Sequence, residues 1–436
     1  MGESNLKTMP RAARQARSEE FDAVIVGGSL AGSAAAIALG RAGARVALVE
    51  QRPDPQAYKQ VCSHFIQASA VPTLERLGLL RPMLDAGAVR SSFRIWTRWG
   101  WIVPPPEDRR AGINLRRSLL DPLLRETALA TPGVESLLGH TAVELIRAGD
   151  GDGARIGGVV VRDRGGEQRE LRARLTVGAD GRGSRVARLA GVATRTTPHG
   201  RFAYGTYFEG GAPPHAPDAS LWMCDPQWAA AFPTDSGLTF YAAMPTKQRL
   251  PEFRRDPLAA LVKLLADLPD PPPIHDARPV DTVKGKLEMP NVEHEPVAPG
   301  LALVGDAALA TDPLWGIGCG WALQSAEWLG DAVGAPLAAG PGPAELDAAL
   351  ARYRRRWRRG MIAHARVIED FAPGRRLNAG ERFVFSAAVL DPRVAATMDA
   401  FGSRSISPVR ALATTIPLAV AAHARQVRQP REAVAA

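Results

Sequence analysis

Residues 21–26, FDAVIV, form a short β-branched run, and GGSLAGSAAAIALGRAG follows at once, before a second apolar run, ARVALVE, ends at Glu50. This order predicts a strand, a tight glycine turn, a helix and a second strand. Such a unit opens a parallel sheet whose first turn presents backbone N–H groups at a helix N-terminus, a place suited to phosphate. In the dinucleotide fingerprint the first glycine makes the turn, the second admits pyrophosphate and the third lets helix and strand pack closely. Gly27 and Gly32 fill the first and third positions, while Ser29, preceded by Gly28, stands at the second. Glu50 follows about twenty residues later, where a carboxylate accepts hydrogen bonds from ribose hydroxyls and disfavours a 2′-phosphate. The segment therefore predicts FAD or NAD rather than NADP as the resident nucleotide.

The chain has 436 residues, 46% of them hydrophobic and 23% charged, enough to bury a large core in two closely associated domains. Its formal charge of +9 is mostly scattered arginine without interleaved base-stacking aromatics, which argues against nucleic acid as a partner. The densest run, RYRRRWRR at 352–359, sits among Leu346, Leu350, Tyr353, Trp357 and Met361 at helical spacing, so its arginines belong to a solvated helix face. Cys62, Cys224 and Cys319 stand far apart with no CxxC pair. No metal site or disulfide framework is expected, and a reducing, cytoplasmic setting fits. Residues 1–20 lack an apolar h-region and read as a flexible tail. No run is long and apolar enough to span a bilayer.

Two later segments repeat the strand-and-turn theme. Residues 175–188 read LTVGADGRGSRVAR, and residues 301–329 read LALVGDAALATDPLWGIGCGWALQSAEWL. With the first motif, in this order, they resemble the flavoprotein monooxygenase superfamily typified by p-hydroxybenzoate hydroxylase, whose relatives include geranylgeranyl reductases and flavin-dependent halogenases. The resemblance covers most of residues 21–335 and implies FAD. It assigns a ribityl contact to Asp306 and the DG motif to Asp180 and Gly181. The turn and helix N-terminus under the flavin fall to Pro313, Gly316 and Gly318, and the arginine near flavin and pyrophosphate to Arg117. Taken alone, Asp306 also suits an N-cap and Asp180 a turn. The chain departs from the family at Leu309, where histidine is usual, at Gly320, where asparagine is usual, and at Ala187, beside Arg188, where arginine is usual. No second glycine fingerprint is present, so NAD(P)H is expected to donate electrons transiently or through a partner flavin reductase.

Between these motifs, alternating runs such as FAYGTYFE, ASLWMC and GLTFYAAM predict a mostly antiparallel sheet over the flavin and substrate, backed by a helix near 256–268. WAAAFP, from Trp228 to Pro233, resembles the YxWxFP of geranylgeranyl reductases, with Ala230 at the inner aromatic position. Trp228 and Phe232 are therefore substrate candidates. WGWIVP at 99–104 is close to the WxWxIP of halogenases but lies too early in the chain, as does Lys59 for the halogenase lysine. Cys62 matches a cysteine that reaches toward the flavin in prenyl reductases. His64 is a candidate general base or hydrogen-bond donor. Ordinary packing is the competing reading for both. The apolar segment 407–424 suits covering the substrate mouth, pairing with another subunit or touching a membrane surface, but Pro417 interrupts it and core packing is the favoured expectation.

The expected fold is α/β: a Rossmann-like FAD-binding domain with an inserted antiparallel-sheet substrate domain and a C-terminal helical region. The FAD-binding domain takes 21–90, 110–195 and 290–335, the sheet domain 91–109 and 196–289, and the helical region 336–436. The resemblance implies a monooxygenase that uses O2 through a flavin C4a-hydroperoxide to hydroxylate or epoxidise a largely apolar aromatic or polycyclic metabolite, in biosynthesis. Alkene reduction of the geranylgeranyl type, halogenation, and non-enzymatic prenyl binding are the alternatives.

Overall fold

Five strands with strongly apolar cores pair in parallel: Leu301–Leu303, Gln168–Gly178, Ser18–Val26, Val46–Glu50 and Val134–Leu138, in that spatial order. Residues 23–25, 46–49, 175–178 and 301–303 are buried on both faces, as a parallel sheet covered by helices requires, while the edge strand Val134–Leu138 is only partly buried. Thr141–Ala148 and Arg155–Arg162 extend this sheet as an antiparallel hairpin. The computed structural model describes residues 18–149 and 154–428. The expected tail is shorter than 1–20, because Ser18–Glu20 already pair with Glu170–Arg172 in the first strand. The remainder of that segment, 1–17, lies outside the described residues.

Helix Leu30–Arg41 and helix Gly318–Ala338 pack together on the parallel sheet. Small residues permit the close approach: a Cβ at Gly330 would meet the Ala38 Cβ at 2.5 Å, and one at Gly334 would meet the Ala42 Cβ at 2.8 Å. Helix Pro343–Phe371 lies against the second of these through Leu346, Leu350, Tyr353, Trp357 and Met361, all buried. Its arginines from 352 to 359 point outward, where Arg354 pairs with Glu295 and Arg356 with Asp331.

A second eight-stranded sheet is built mainly from Ala203–Glu209, Leu238–Met244, Gln227–Pro233, Ala219–Cys224 and Phe93–Thr97. Its pairs are antiparallel except Ala219–Cys224 with Phe93–Thr97. Strand alternation sends Phe208, Trp222 and Tyr241 to one side, against Leu261, Leu264 and Leu265 of helix Pro257–Ala266. Met223, Trp228, Ala230 and Phe232 face the other way. Three helices, Ala379–Leu390, Pro392–Gly402 and Pro408–Arg428, close the far end.

Helix Pro408–Arg428 departs from the core-packing expectation. Ala411, Thr415, Ala419 and Ala422 are buried, whereas Val409, Leu412, Ile416 and Val420 are exposed. The segment is apolar on more than one face, and its small residues are the ones turned toward the neighbouring helices.

Candidate functional site

The parallel register sets Val49, Val26, Gly178 and Leu303 side by side, so the loops leaving these strands share one edge of the sheet. That edge is the usual ligand position in an open α/β sheet. Gly27 has φ of +108°, and a Cβ there would meet the Ala179 carbonyl oxygen at 2.5 Å. At Gly32 a Cβ would fall 1.7 Å from the Gly27 oxygen, so the helix can approach the turn only with glycine at that position. The Gly28 N–H donates to Glu50 Oε2 and the Arg52 N–H to Glu50 Oε1, each at 2.9 Å. Gly28 and Gly32 thus support the turn from behind, while Gly27, Ser29 and Glu50 line a cavity.

Arg117 begins helix Arg117–Leu129 and reaches the same turn. Its Nη2 donates to Ser29 Oγ at 2.8 Å, and its Nε to Asp121 Oδ1 at 2.7 Å. Burial opposes the guanidinium charge most strongly of any single influence, but Asp121 together with Cys62 and Cys319 outweighs it and holds Arg117 protonated above its ordinary range. Arg117 Nη1 lies 3.4 Å from Cys62 Sγ. Cys62 Sγ is in turn 3.6 Å from Cys319 Sγ, on the first turn of helix Gly318–Ala338.

The two strand-end aspartates behave differently. Asp180 accepts from Ser184 Oγ at 2.6 Å and from the Arg185 and Val186 N–H groups at 2.7 and 3.1 Å, so both its oxygens serve its own turn. Gly181 and Gly183 beside it have open space where a Cβ would stand, on the cavity wall. Asp306 caps no helix; its Oδ2 accepts from Lys59 Nζ at 3.1 Å. Burial would raise its pKa, but Lys59 and Arg182 together hold the carboxyl below its usual range. Pro313 then opens a short turn capped by Asp312, whose Oδ1 accepts from the Leu314 N–H at 3.0 Å. Gly316 follows at φ of +62°, and helix Gly318–Ala338 starts under the cavity.

Trp228 and Phe232 lie on one face of strand Gln227–Pro233 and line the cavity with Phe93, Leu221, Met223 and Phe240. Ala230, between them, is the small residue of this face and is fully buried. His64 takes no part in the cavity wall. It is fully buried in a left-handed conformation (φ 48°), stacks on Tyr207 at 5.5 Å and shares a 3.3 Å contact with its hydroxyl. Burial pushes its pKa down to about 4, so the ring is neutral near pH 7. Packing, not general-base chemistry, is its visible role.

Sequence reasoning did not find Asp121, Asp312, Arg182 or the proximity of Cys319. Arg182 Nη2 donates to the Thr311 carbonyl at 2.5 Å and its Nη1 reaches the Pro290 carbonyl, tying the DG turn to the segment after Asp306. An arginine flanked by glycines in GRG was the available signal.

The cavity measures about 1460 Å³. That exceeds the roughly 300–1,000 Å³ of a site for one small ligand and leaves space for a dinucleotide and a substrate together. The glycine turns with open Cβ positions, the helix N-termini and the acids at the strand ends fit FAD. A family model described as FAD binding domain matches residues 20–362. The chain belongs to that family. It is an FAD-dependent oxidoreductase by descent.

Digeranylgeranylglycerophospholipid reductase 1 of Methanopyrus kandleri is 27% identical over 394 residues, covering 85% of this chain and 96% of the relative. The digeranylgeranylglycerophospholipid reductase of Methanothrix thermoacetophila is 28% identical, covering 77% of this chain and 83% of that one. Among solved structures, the flavin-dependent brominase Bmp2 aligns with a TM-score of 0.75 at 17% identity, over 94% of this chain and all of the other. The p-nitrophenol 4-monooxygenase PnpA of Pseudomonas putida aligns with a TM-score of 0.67 at 22% identity, over 90% and 99%. These structures share the fold. Among the described residues there is no cluster that would hold a metal ion, and no helix long and apolar enough to cross a membrane.

Proposed function

We propose that this chain is an FAD-dependent monooxygenase that places one oxygen atom of O2 into a bulky, largely apolar aromatic or polycyclic metabolite, in a biosynthetic sequence. The observation that carries the reading is the sheet wall of the cavity. Phe93, Leu221, Met223, Trp228, Phe232 and Phe240 offer a broad apolar surface, with Tyr204, Lys284 and Lys286 of the same sheet also on the lining. Such a wall orients a substrate and excludes water, leaving the bond-making to the cofactor.

When bound, FAD supplies two-electron reduction and the activation of O2. The first glycine turn and the N-terminus of helix Leu30–Arg41 would take its pyrophosphate, Glu50 its ribose and Asp306 its ribityl chain. The N-terminus of helix Gly318–Ala338 would face the ring, where its partial positive charge favours negative charge on the ring. NAD(P)H supplies the electrons, directly or through a partner reductase. Three free thiols support a reducing, cytoplasmic setting.

The test is NAD(P)H-driven turnover under isotopically labelled O2. Substrate-dependent oxygen uptake with label in the product is the expected result; an unlabelled product, or turnover without O2, overturns the reading.

Alkene reduction is the second reading. Cys62 stands on the cavity wall beside Arg117, and the reductases of Methanopyrus kandleri and Methanothrix thermoacetophila are related over most of the chain. Anaerobic turnover giving a saturated product would select it. Halogenation would instead require halide, and a non-enzymatic prenyl-binding protein would purify colourless and take up no flavin.

A further inference from the structure

Cys62 lies in the irregular segment between Glu50 and strand Phe65–Ile66, and Cys319 is the second residue of helix Gly318–Ala338. The two are 257 residues apart in sequence, yet their sulfurs are 3.6 Å apart. Both line the large cavity, so a small solute that enters can reach them.

Two buried cysteines in contact are ordinarily a packing detail. The surroundings of this pair differ from a packing site. Arg117 Nη1 is 3.4 Å from Cys62 Sγ, and the His64 N–H donates to the same sulfur at 3.2 Å. The Cys319 thiol, Arg117 and Lys59 together draw the Cys62 pKa well below its ordinary value against the effect of burial. Cys319 moves the opposite way, because its contact with the Cys62 sulfur and its burial both favour the protonated thiol. A thiolate with cations around it and a thiol in contact is the arrangement from which a dithiol closes. Cys224 has no such surroundings, and burial pushes its thiol up to about 11.

We propose that Cys62 and Cys319 form a redox-active dithiol that hydrogen peroxide closes to a disulfide. The Cys62 thiolate attacks one peroxide oxygen. The O–O bond breaks, an S–O bond forms, and the departing hydroxide is protonated to water. The Cys319 sulfur then attacks the Cys62 sulfur; the S–S bond forms, the S–OH bond breaks, and the leaving hydroxide takes the Cys319 proton as a second water. The two thiols lose two electrons in all, and the peroxide gains them. Closure requires the sulfurs to move from 3.6 Å to about 2.05 Å. The product ties segment 51–63 to the start of helix Gly318–Ala338 across a gap that the Lys59–Asp306 ion pair already bridges.

The experiment treats the purified full-length protein with hydrogen peroxide, alkylates remaining thiols after denaturation, and maps the peptides by mass spectrometry. The expected result is a loss of two hydrogen masses, a Cys62–Cys319 linked peptide, an alkylated Cys224, and recovery of all three thiols with dithiothreitol. Loss of the Cys62 thiol should outpace loss of Cys224 by at least about tenfold. In Cys319→Ser, Cys62 should accumulate as a sulfenic acid captured by a 1,3-cyclohexanedione probe. In Cys62→Ser, Cys319 should remain alkylatable. Three intact thiols after treatment, or Cys62 driven to sulfinic acid without a link in the wild-type chain, overturns the proposal. The mapping on wild-type protein stands whether or not either variant folds.

Discussion

Lys59 Nζ lies 3.1 Å from Asp306 Oδ2, a contact between residues 247 apart in the chain. Each side chain lines the cavity, and the lysine keeps the aspartate ionised below its ordinary pKa range. An ionised carboxylate only accepts hydrogen bonds, which suits a partner made of hydroxyl groups. Asp306→Asn should therefore weaken FAD binding by about tenfold to a hundredfold, the scale of one hydrogen bond to a charged group. Lys59→Met should act through pH instead. With the cation gone, Asp306 protonates at a higher pH, so FAD affinity should begin to fall at higher pH than in the wild type. Fluorescence titration of apoprotein with FAD between pH 4 and 7 reads both; an unchanged affinity in Asp306→Asn would remove this residue from the site.

Gly32 is constrained by distance alone. The added methyl of Gly32→Ala would collide with the Gly27 carbonyl, so helix Leu30–Arg41 must shift away from the turn. We expect a loss of about 2–3 kcal/mol of stability, the scale of overpacking a close-packed interior, together with lost flavin uptake. Denaturant melts and the flavin absorbance of the purified variant measure the two effects. Gly342→Ala is the control, since nothing lies within 4 Å of a Cβ at Gly342, its φ of −69° suits alanine and it lies outside the cavity lining.

What the sequence made legible follows the range of the forces involved. Gly27, Gly32 and Glu50 are dictated by one local unit, where spacing, turn and strand end all fall within thirty residues. Asp306 and the Pro313–Gly318 turn were legible through the family resemblance. Asp121 was not, because nothing in a helical DPLL announces that its carboxylate will neutralise Arg117 one turn earlier. The nearness of Cys62 and Cys319 was equally silent, since only the fold brings them together. His64 was read as a candidate base from its residue type, yet the left-handed turn at that position aims it at Tyr207 rather than at the cavity. The helix Pro408–Arg428 shows the same limit: apolar composition gave no way to tell its inward face from its exposed one.

Burial of His64 makes stability depend on pH in a stated direction. Its pKa is about 4 when folded against 6.5 ordinarily, so between these values the unfolded chain holds a proton that the folded chain does not. Stability therefore falls as pH drops from 6.5 to 4, by at most about 3 kcal/mol from this group. His364, also lowered to about 4, acts with the same sign. His64→Asn keeps a residue that tolerates the left-handed backbone and removes the titration. Urea unfolding across this range should show a shallower acid slope in the variant, with the contributions of His364, His215 and His294, all lowered by burial, left in place. Identical slopes would mean that His64 is already protonated in the folded protein.

Ala230 stands between Trp228 and Phe232 on the sheet wall. It faces the cavity from the same side of the strand, and its own small side chain is fully buried in the hydrophobic cluster of that face. Ala230→Trp would push a large ring from this face toward the cavity, away from the strand ends that serve the nucleotide. FAD content should stay close to wild type, while the melting temperature should fall modestly, because Ala230 is fully buried in a hydrophobic cluster and part of the new ring overpacks it. Turnover should instead become selective, with KM for bulky polycyclic substrates rising by at least about tenfold, the scale of a steric conflict worth 1.4 kcal/mol, while small monocyclic ones are less affected. Steady-state kinetics on a size series of substrates makes the comparison. If the whole series slows equally, the substrate does not lie against this wall; if large and small substrates are unaffected alike, the space beside Ala230 is not used in turnover.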